Sequence, residues 1–248
     1  MAQKVLVSFI ACIIIITSVI GCSKRKEDND DLPTTDSSSS AISSNEQSFC
    51  STSDSETNSV VKKGDSVYFG YYGNEDIEWI ILDQKDGKTL LLSKYIIDSK
   101  QYNEEDESIT WEYSSVRKWL NNDFIKNAFD KNEQQKIQST LISNNNNDEY
   151  GINGGNDTTD KVFLLSIDET YLYFPSEDER KTFGTMFAKD NGLYENKGYN
   201  EWWLRSPGHV ENYATVVDSA YGMVHEYGSN ISEHGAGVRP AIWVVLEQ

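Results

Sequence analysis

An α+β domain with a mixed, mainly antiparallel sheet and short packed helices is what this chain predicts, on three observations. Asp86-Gly87 sits between two apolar runs, and that dipeptide takes the left-handed backbone of a tight hairpin. The amphipathic stretches between Ser114 and Ile137 are too short for a bundle and must pack on a sheet. The closing run Gly237-Val238-Arg239-Pro240-Ala241-Ile242-Trp243-Val244-Val245-Leu246 is apolar on both faces, as a strand in the middle of a sheet is.

Residues 1–22 read as an export signal. Lys4 supplies a positive start and Val5 to Ile20 an apolar core. Val19-Ile20-Gly21-Cys22 is a lipobox-like ending, so Cys22 is the expected lipidation site, diacylated on sulfur as in bacterial lipoproteins. The alternative is an uncleaved anchor, for which the apolar run is short. Either way the expected location is the cell membrane, with the domain facing outside the cytoplasm. Residues 23–59 are Ser, Thr, Asp, Glu and Asn with almost no large apolar side chain, which predicts a disordered polar tether. Cys50 lies in that tether without a partner in the mature chain. It reads as a free thiol, or as an intermolecular or second attachment point.

Residues 60–248 are the expected single domain. It contains no cysteine, which removes disulfides, cysteine nucleophiles and cysteine-bound metals. With 40 Asp and Glu against 22 Lys and Arg, the chain lacks the basic footprint of a nucleic-acid binder or of a protein docked on anionic lipid. The plain reading of the charge is solubility. Its many Trp and Tyr suit core packing, and also flat contact with glycan or protein ligands.

Along the domain, residues 65–72 alternate as a strand with Val67, Phe69 and Tyr71 on one side. A turn over residues 73–76 leads to a strand with Trp79 and Ile81 on one face, then through Asp86-Gly87 to Leu90-Leu91-Leu92. Tyr95 to Asp98 continues the apolar pattern. Ser114 or Ser115 caps a helix whose Val116, Trp119 and Leu120 share a face, and two further short pieces cover residues 124–129 and 132–137. Residues 144–160 form a long solvated loop. Its Asp148, Glu149, Asn153, Asn156, Asp157 and Asp160 are oxygen ligands of the kind that surround Ca²⁺, but their spacing is not that of an EF-hand. No cofactor is expected beyond that calcium candidate. A strand at residues 161–165 runs into a capping box, Ser166 to Glu169, and Ser176 starts another helix. Phe183, Met186 and Phe187 are expected buried. Residues 214–217 and 223–227 pair as strands, residues 228–237 are a loop, and residues 238–246 are the last strand.

Two stretches carry a resemblance. One is Thr110-Trp111-Glu112-Tyr113-Ser114-Ser115-Val116-Arg117-Lys118-Trp119-Leu120-Asn121. The other joins Trp203-Leu204-Arg205-Ser206-Pro207-Gly208, Gly222 and Gly237-Val238-Arg239-Pro240-Ala241, with Val162 to Ser166 between the two stretches. Together they resemble an uncharacterised bacterial family of surface and secreted proteins, over essentially residues 60–246. The family implies no activity. More distantly the ending is similar to C-type-lectin-like domains of the formylglycine-generating-enzyme type, and to ligand binders diversified by bacterial retroelements. That resemblance implies a C-type-lectin-like frame with exposed residues between the two Arg motifs on the ligand: His209, Glu211, Asn212, Tyr213, Tyr221, His225, Tyr227 and Asn230, bordered by Trp111 and Trp202.

Arg205, Arg239, Trp119 and Trp243 read as scaffold, since a guanidinium has five donors with which to pin loops. His209, His225 and His234 with neighbouring carboxylates follow no helical metal spacing, and they read as surface residues with no metal site. A Gly-x-Ser-x-Gly nucleophile elbow is absent, and without cysteine the formylglycine-generating chemistry has no basis. The expectation is a non-enzymatic surface lipoprotein that binds a glycan, peptide or protein at the envelope. The alternatives are an envelope-polymer hydrolase using a His and carboxylate site, and a structural or assembly module.

Overall fold

The computed structural model describes residues 62–196, 199–218 and 221–246. The export signal, Cys22, the tether, Cys50 and the expected domain start at residue 60 lie outside the described residues. Every described residue falls in one compact unit, Ser55–Gln248. Among the described residues no helix is long and apolar enough to cross a membrane.

The domain is α+β, with mostly antiparallel sheets and a few short helices. It opens as a meander of β1 (Ser66–Tyr72), β2 (Glu75–Lys85) and β3 (Lys88–Ser93). Both connections are two-residue turns with positive φ throughout, at Gly73 (61°) and Asn74 (71°) and at Asp86 (53°) and Gly87 (73°). That backbone matches strand twist, which is why Asn, Asp and Gly stand there. Glu75 and Asp76 therefore belong to β2, and the first turn is shorter than expected. Within β1 the register shifts by one residue between Tyr68 and Tyr71, where Gly70 sits at φ 77°. The bulge reverses the alternation. Tyr71 points outward, and Tyr72 turns inward against Trp119, Phe124 and Phe187.

β4 (Asp98–Ser99) follows, then a 3₁₀ turn at Trp111–Tyr113. Next comes a continuous helical stretch: α1 (Ser115–Trp119), a π-helical turn at Leu120–Phe124 and α2 (Ile125–Ala128). Ser114 caps α1 by accepting from the Arg117 amide. α3 (Lys131–Lys136) is capped by Asp130 and Glu133 reciprocally. The strip Val116, Leu120, Phe124 and Ala128 is buried, and its rings meet Phe129, which packs in turn on Trp79. The 110–121 motif now has a physical reading. Arg117 and the Trp111 indole both donate to the buried Asp160 carboxylate, at 2.8 and 2.9 Å. Asn121 ties the helix to Lys161 and Val162 backbone.

Downstream, β5 (Thr140–Ile142) pairs with β6 (Thr158–Asp160), and β7 (Val162–Phe163) leads to α4 (Ile167–Tyr173), whose capping box is Ser166 and Glu169. α5 (Glu177–Arg180), α6 (Met186–Asp190), β8 (Glu195–Asn196) and β9 (Tyr199–Asn200) come next. Phe183 and Met186 are exposed, contrary to expectation. A five-residue helix offers one inward position, and Ala188 takes it, with Leu193 buried just beyond. The last strands are β10 (Trp202–Pro207), β11 (Tyr213–Val217), β12 (Val224–Asn230), β13 (Gly237–Val238) and β14 (Ala241–Val244). β12 continues through Asn230, so the loop expected from residue 228 starts later.

Two five-stranded sheets result, ordered β1-β2-β3-β14-β7 and β12-β11-β10-β13-β4. The expected single closing strand is two strands in different sheets. Pro240 has no N–H for a ladder, so pairing stops at Arg239-Pro240 and the chain crosses over. On one side β13 runs parallel to β10. On the other, β14 sits between β3 and β7 with Ile242 and Val244 fully buried. Trp243 is half-buried on its outer face.

Candidate functional site

The stretch between the two Arg motifs is built around one residue, Thr215. On β10, Leu204, Arg205 and Ser206 stand opposite it, and on β12 Glu226, Tyr227 and Gly228 do the same. Two strands therefore bulge outward around a single position of β11. Bulges re-aim side chains, and they are common beside sites. Gly228 makes the outer bulge feasible, with φ at 79° and no room for a Cβ against the Ala214 carbonyl. Gly208 is constrained alike, because a Cβ there would lie 2.7 Å from both the Tyr213 Cβ and the Tyr227 carbonyl oxygen.

The outer bulge gathers rings. His209 stacks on Tyr227 with centroids 3.4 Å apart and planes 12° from parallel. Tyr213 meets His209 edge-on at 4.6 Å, and Tyr150 meets both His209 and Tyr227 edge-on at 6.1 Å. His225 lies 6.1 Å from Tyr227. Tyr150, His225 and Tyr227 are exposed, and His209 and Tyr213 half-buried. The His209 Nδ1 lies 2.9 Å from the Tyr227 carbonyl oxygen. A carbonyl only accepts, so Nδ1 is the donor in this contact.

The remaining expected contacts behave differently. Asn212 and Asn230 both donate from their side-chain amides to Asp106, at 2.8 and 2.9 Å. Those two amides hold the Asp106 carboxyl below its ordinary range, the Asn212 amide most. Glu211 accepts from the Ser108 hydroxyl at 2.7 Å. These three side chains clip the 106–109 segment onto the hairpin rather than standing free. Tyr221 is exposed at the turn, the far end of the β11–β12 pair from Tyr213 and Asn230. The structure thus brings together His209, Tyr213, His225 and Tyr227 and leaves Tyr221 apart. Trp111 and Trp202 are fully buried and border no surface, since their indole N–H groups are used inside, on Asp160 and on the Arg180 carbonyl.

The 144–160 segment is not a solvated loop throughout. Asn144, Asn147 and Asp160 are buried. Asn147 is the residue that sequence reasoning missed. Its amide donates to the Pro207 and Glu226 carbonyls, both at 2.9 Å, and so bolts the two bulges together. Tyr150, three residues on, lies against the rings. A run of four asparagines was the available signal, because an amide that donates twice is a ready filler for bulged backbone. The proposed calcium ligands are spread: Asp157 accepts from the Asn144 amide N–H, Asn153 from Gly155, and Asp160 from Arg117. Among the described residues no three His, Cys, Asp or Glu side chains come close enough to share an ion. His234 lines a separate pocket of about 690 Å³ with Trp119, so the three histidines are not assembled. Trp119 is half-buried there, with the Lys100 ammonium 4.8 Å from its ring centre.

Beside the rings, Asn144, Asp148, Glu149, Asp168, Tyr171 and Glu226 line an open pocket of about 580 Å³. The Tyr171 hydroxyl donates to Glu226 at 3.1 Å, and burial, with Glu226 adding to it, raises the phenol above its ordinary pKa.

The chain belongs to the family of a domain of unknown function, DUF6273, whose model matches residues 86–246. The match begins at the Asp86 turn, so β1 and all of β2 lie outside it. No curated protein and no solved structure matches the chain.

Proposed function

We propose that this chain is a surface-anchored lipoprotein, held by a lipid on Cys22 and by the tether of residues 23–59, whose folded domain binds a glycan, peptide or protein at the cell envelope without catalysis. The observation that carries the reading is the ring cluster of Tyr150, His209, Tyr213, His225 and Tyr227 on the bulged edge of the second sheet. Rigid rings with apolar faces and polar rims make contact area at low entropic cost. A C-type-lectin-like frame is part of the same proposal. It is supported by the closing Gly237-Val238-Arg239 segment and by the side-chain-rich hairpin between the two Arg motifs. Glu211, Asn212 and Asn230 shape the surface, and the rings contact the ligand.

The test is binding of the full chain, purified in mild detergent, to an array of bacterial and host glycans and envelope fragments, with Ca²⁺ and with EDTA. The expected result is binding that is equal in both buffers and at least about tenfold weaker in Tyr227→Ala and His209→Ala, the size of one lost ring contact. Tyr221→Ala should bind as the unmodified chain does. Unchanged binding in Tyr227→Ala, or no bound species on the array and none captured from envelope extracts, overturns the proposal.

A further inference from the structure

We infer that the pocket of about 690 Å³ at Trp119 is a binding site for a neutral saccharide, either a free sugar or a unit of a polysaccharide. It shares no residue with the ring cluster, so it stands or falls apart from the reading above. Its size is within the ~300–1,000 Å³ of small-molecule sites. Four segments build it: the chain after β4, the helical stretch from Ser115 to Asp123, Asn191 at the end of α6, and His234. A buried carboxylate holds part of this lining in place. Asp98, 1% exposed, accepts from the Ser99 amide at 2.8 Å and from the Asn191 side chain at 2.9 Å, and it pairs with Lys100 at 3.3 Å. All three partners line the pocket. The Tyr72 hydroxyl also donates to this carboxylate, at 2.8 Å. Three lining residues are thus fixed on one buried anchor before any ligand arrives.

What the lining leaves unused selects the ligand. Gln101, Asn122 and Asn191 each spend the side-chain N–H on the protein: on the Ser232 carbonyl, the Lys118 carbonyl and Asp98. Among the described residues the amide oxygen of each accepts no hydrogen bond. Asn122 and Asn191 are exposed, and the half-buried Gln101 has no sealed oxygen, so acceptors remain open to a ligand. A donor is left as well. Trp79, Trp111, Trp202 and Trp203 all spend their indole N–H inside the domain. The Trp119 N–H meets no acceptor among the described residues, and it is not sealed from solvent. The lining Lys and carboxylate charges balance, Lys100 and Lys118 against Glu104 and Asp123. A hydroxyl is the neutral group that donates and accepts at once, and a sugar ring presents several of them. An anion would use only the donors of this set, and an ammonium or a metal ion only the acceptors. The Lys100 ammonium lies 4.8 Å from the Trp119 ring centre, so the sugar meets the indole at its N–H edge rather than by stacking on that face.

The experiment is titration of the full chain, in a detergent without sugar headgroups, read by calorimetry and tryptophan fluorescence. The probes are glucose, galactose and N-acetylglucosamine, the linear tetramers of glucose and N-acetylglucosamine, and the charged analogues glucuronate and glucosamine. At least one neutral probe should bind, and more tightly than the charged analogues. A tetramer tighter than its monomer identifies a polysaccharide, and equal affinities identify a free sugar. Trp119→Phe keeps a ring but removes the N–H, and Asn122→Ala removes an acceptor. Each should weaken binding about fivefold, the size of one neutral hydrogen bond. Asn122 is exposed, so Asn122→Ala should melt as the unmodified chain does. Tyr71→Ala removes an exposed ring on β1 and should leave the affinity unchanged. Unchanged affinity in Trp119→Phe or in Asn122→Ala would overturn the site. So would equal or tighter binding of a charged analogue, or no binding of any neutral probe. Loss of binding in Tyr227→Ala alone would place the sugar on the rings, which overturns this site and leaves the ring reading standing.

Discussion

Arg205 and Arg239 occupy segments that look alike, each with a proline within two residues, and both side chains are almost fully buried. They meet the cost of burial differently. Arg205 lies in the inner bulge. It donates to the Leu164 carbonyl at 2.7 Å, to the Ser143 carbonyl at 3.0 Å and to the Glu169 carboxylate. It thereby joins β10, the 143 loop and α4 around a compensated charge, and the adjacent Ser206 lines the pocket beside the rings. Arg239 stands where the chain leaves one sheet for the other. It donates to the Ser93 carbonyl at 2.9 Å and lies over Trp202 and Phe174, with ring centres 5.0 and 5.3 Å away. Its described partners include no carboxylate, and burial lowers its pKa from the ordinary arginine value. Carbonyl dipoles and two π faces stand in for a counter-charge. The contrast separates two jobs: Arg205 organises a surface, and Arg239 fills a seam.

That contrast predicts an order of effects. Arg205→Met strands a carboxylate and two carbonyls, so it should cost about 3–5 kcal/mol, as breaking one side of a buried ion pair does. Arg239→Met strands carbonyls but also removes an uncompensated buried cation, so it should cost less, about 1–2 kcal/mol. Urea unfolding with unchanged m-values measures both. At temperatures where each variant remains folded, Arg205→Met should also weaken ligand binding, and Arg239→Met should not. A larger stability loss for Arg239→Met would break the comparison, because the seam would then depend on charge rather than on shape.

What was legible in the sequence was local. Asp86-Gly87 announces its hairpin, and the Ser166 to Glu169 box announces α4, because both signals are written in adjacent residues and need no knowledge of the rest of the chain. The α+β class and the helical face Val116-Leu120 follow from periodicity for the same reason. Partner choice was not legible. Nothing local says that Val238 and Ala241 enter different sheets, or that three residues of β12 stand against Thr215. Polar residues misled in both directions. Asn147 carries the same side chain whether it is hydrated or bolted to two carbonyls, and Asn212 and Asn230 look available until Asp106 is placed between them. Aromatic residues were ambiguous in the same way. Trp202 and Tyr227 both lie in the stretch identified from the Arg motifs, yet one is fully buried and the other exposed.

The smallest predicted effect lies where the two regions touch. Glu201 precedes β10, the Arg205 strand, and its carbonyl accepts from Gly237, the first residue of the strand that leads to Arg239, at 2.9 Å. Its carboxyl is raised above the ordinary glutamate value by burial first, with Asp218 and Glu233 adding repulsion. A raised folded-state value means that the native chain holds this proton more tightly than the unfolded chain does. The group therefore favours folding at pH below the unfolded glutamate range, and that contribution fades as pH rises through the folded value. At neutral pH the half-buried carboxylate is a net cost. Glu201→Gln should match the unmodified chain near pH ~4 and exceed it at neutral pH, by at most about 1 kcal/mol once solvent screening is allowed for. Parallel pH profiles for the two proteins would remove the buried carboxylate as the cause, and a less stable Glu201→Gln at neutral pH would show that the charge is compensated at the seam. The second outcome would place an ion pair between the two Arg segments and reduce the distinction between them.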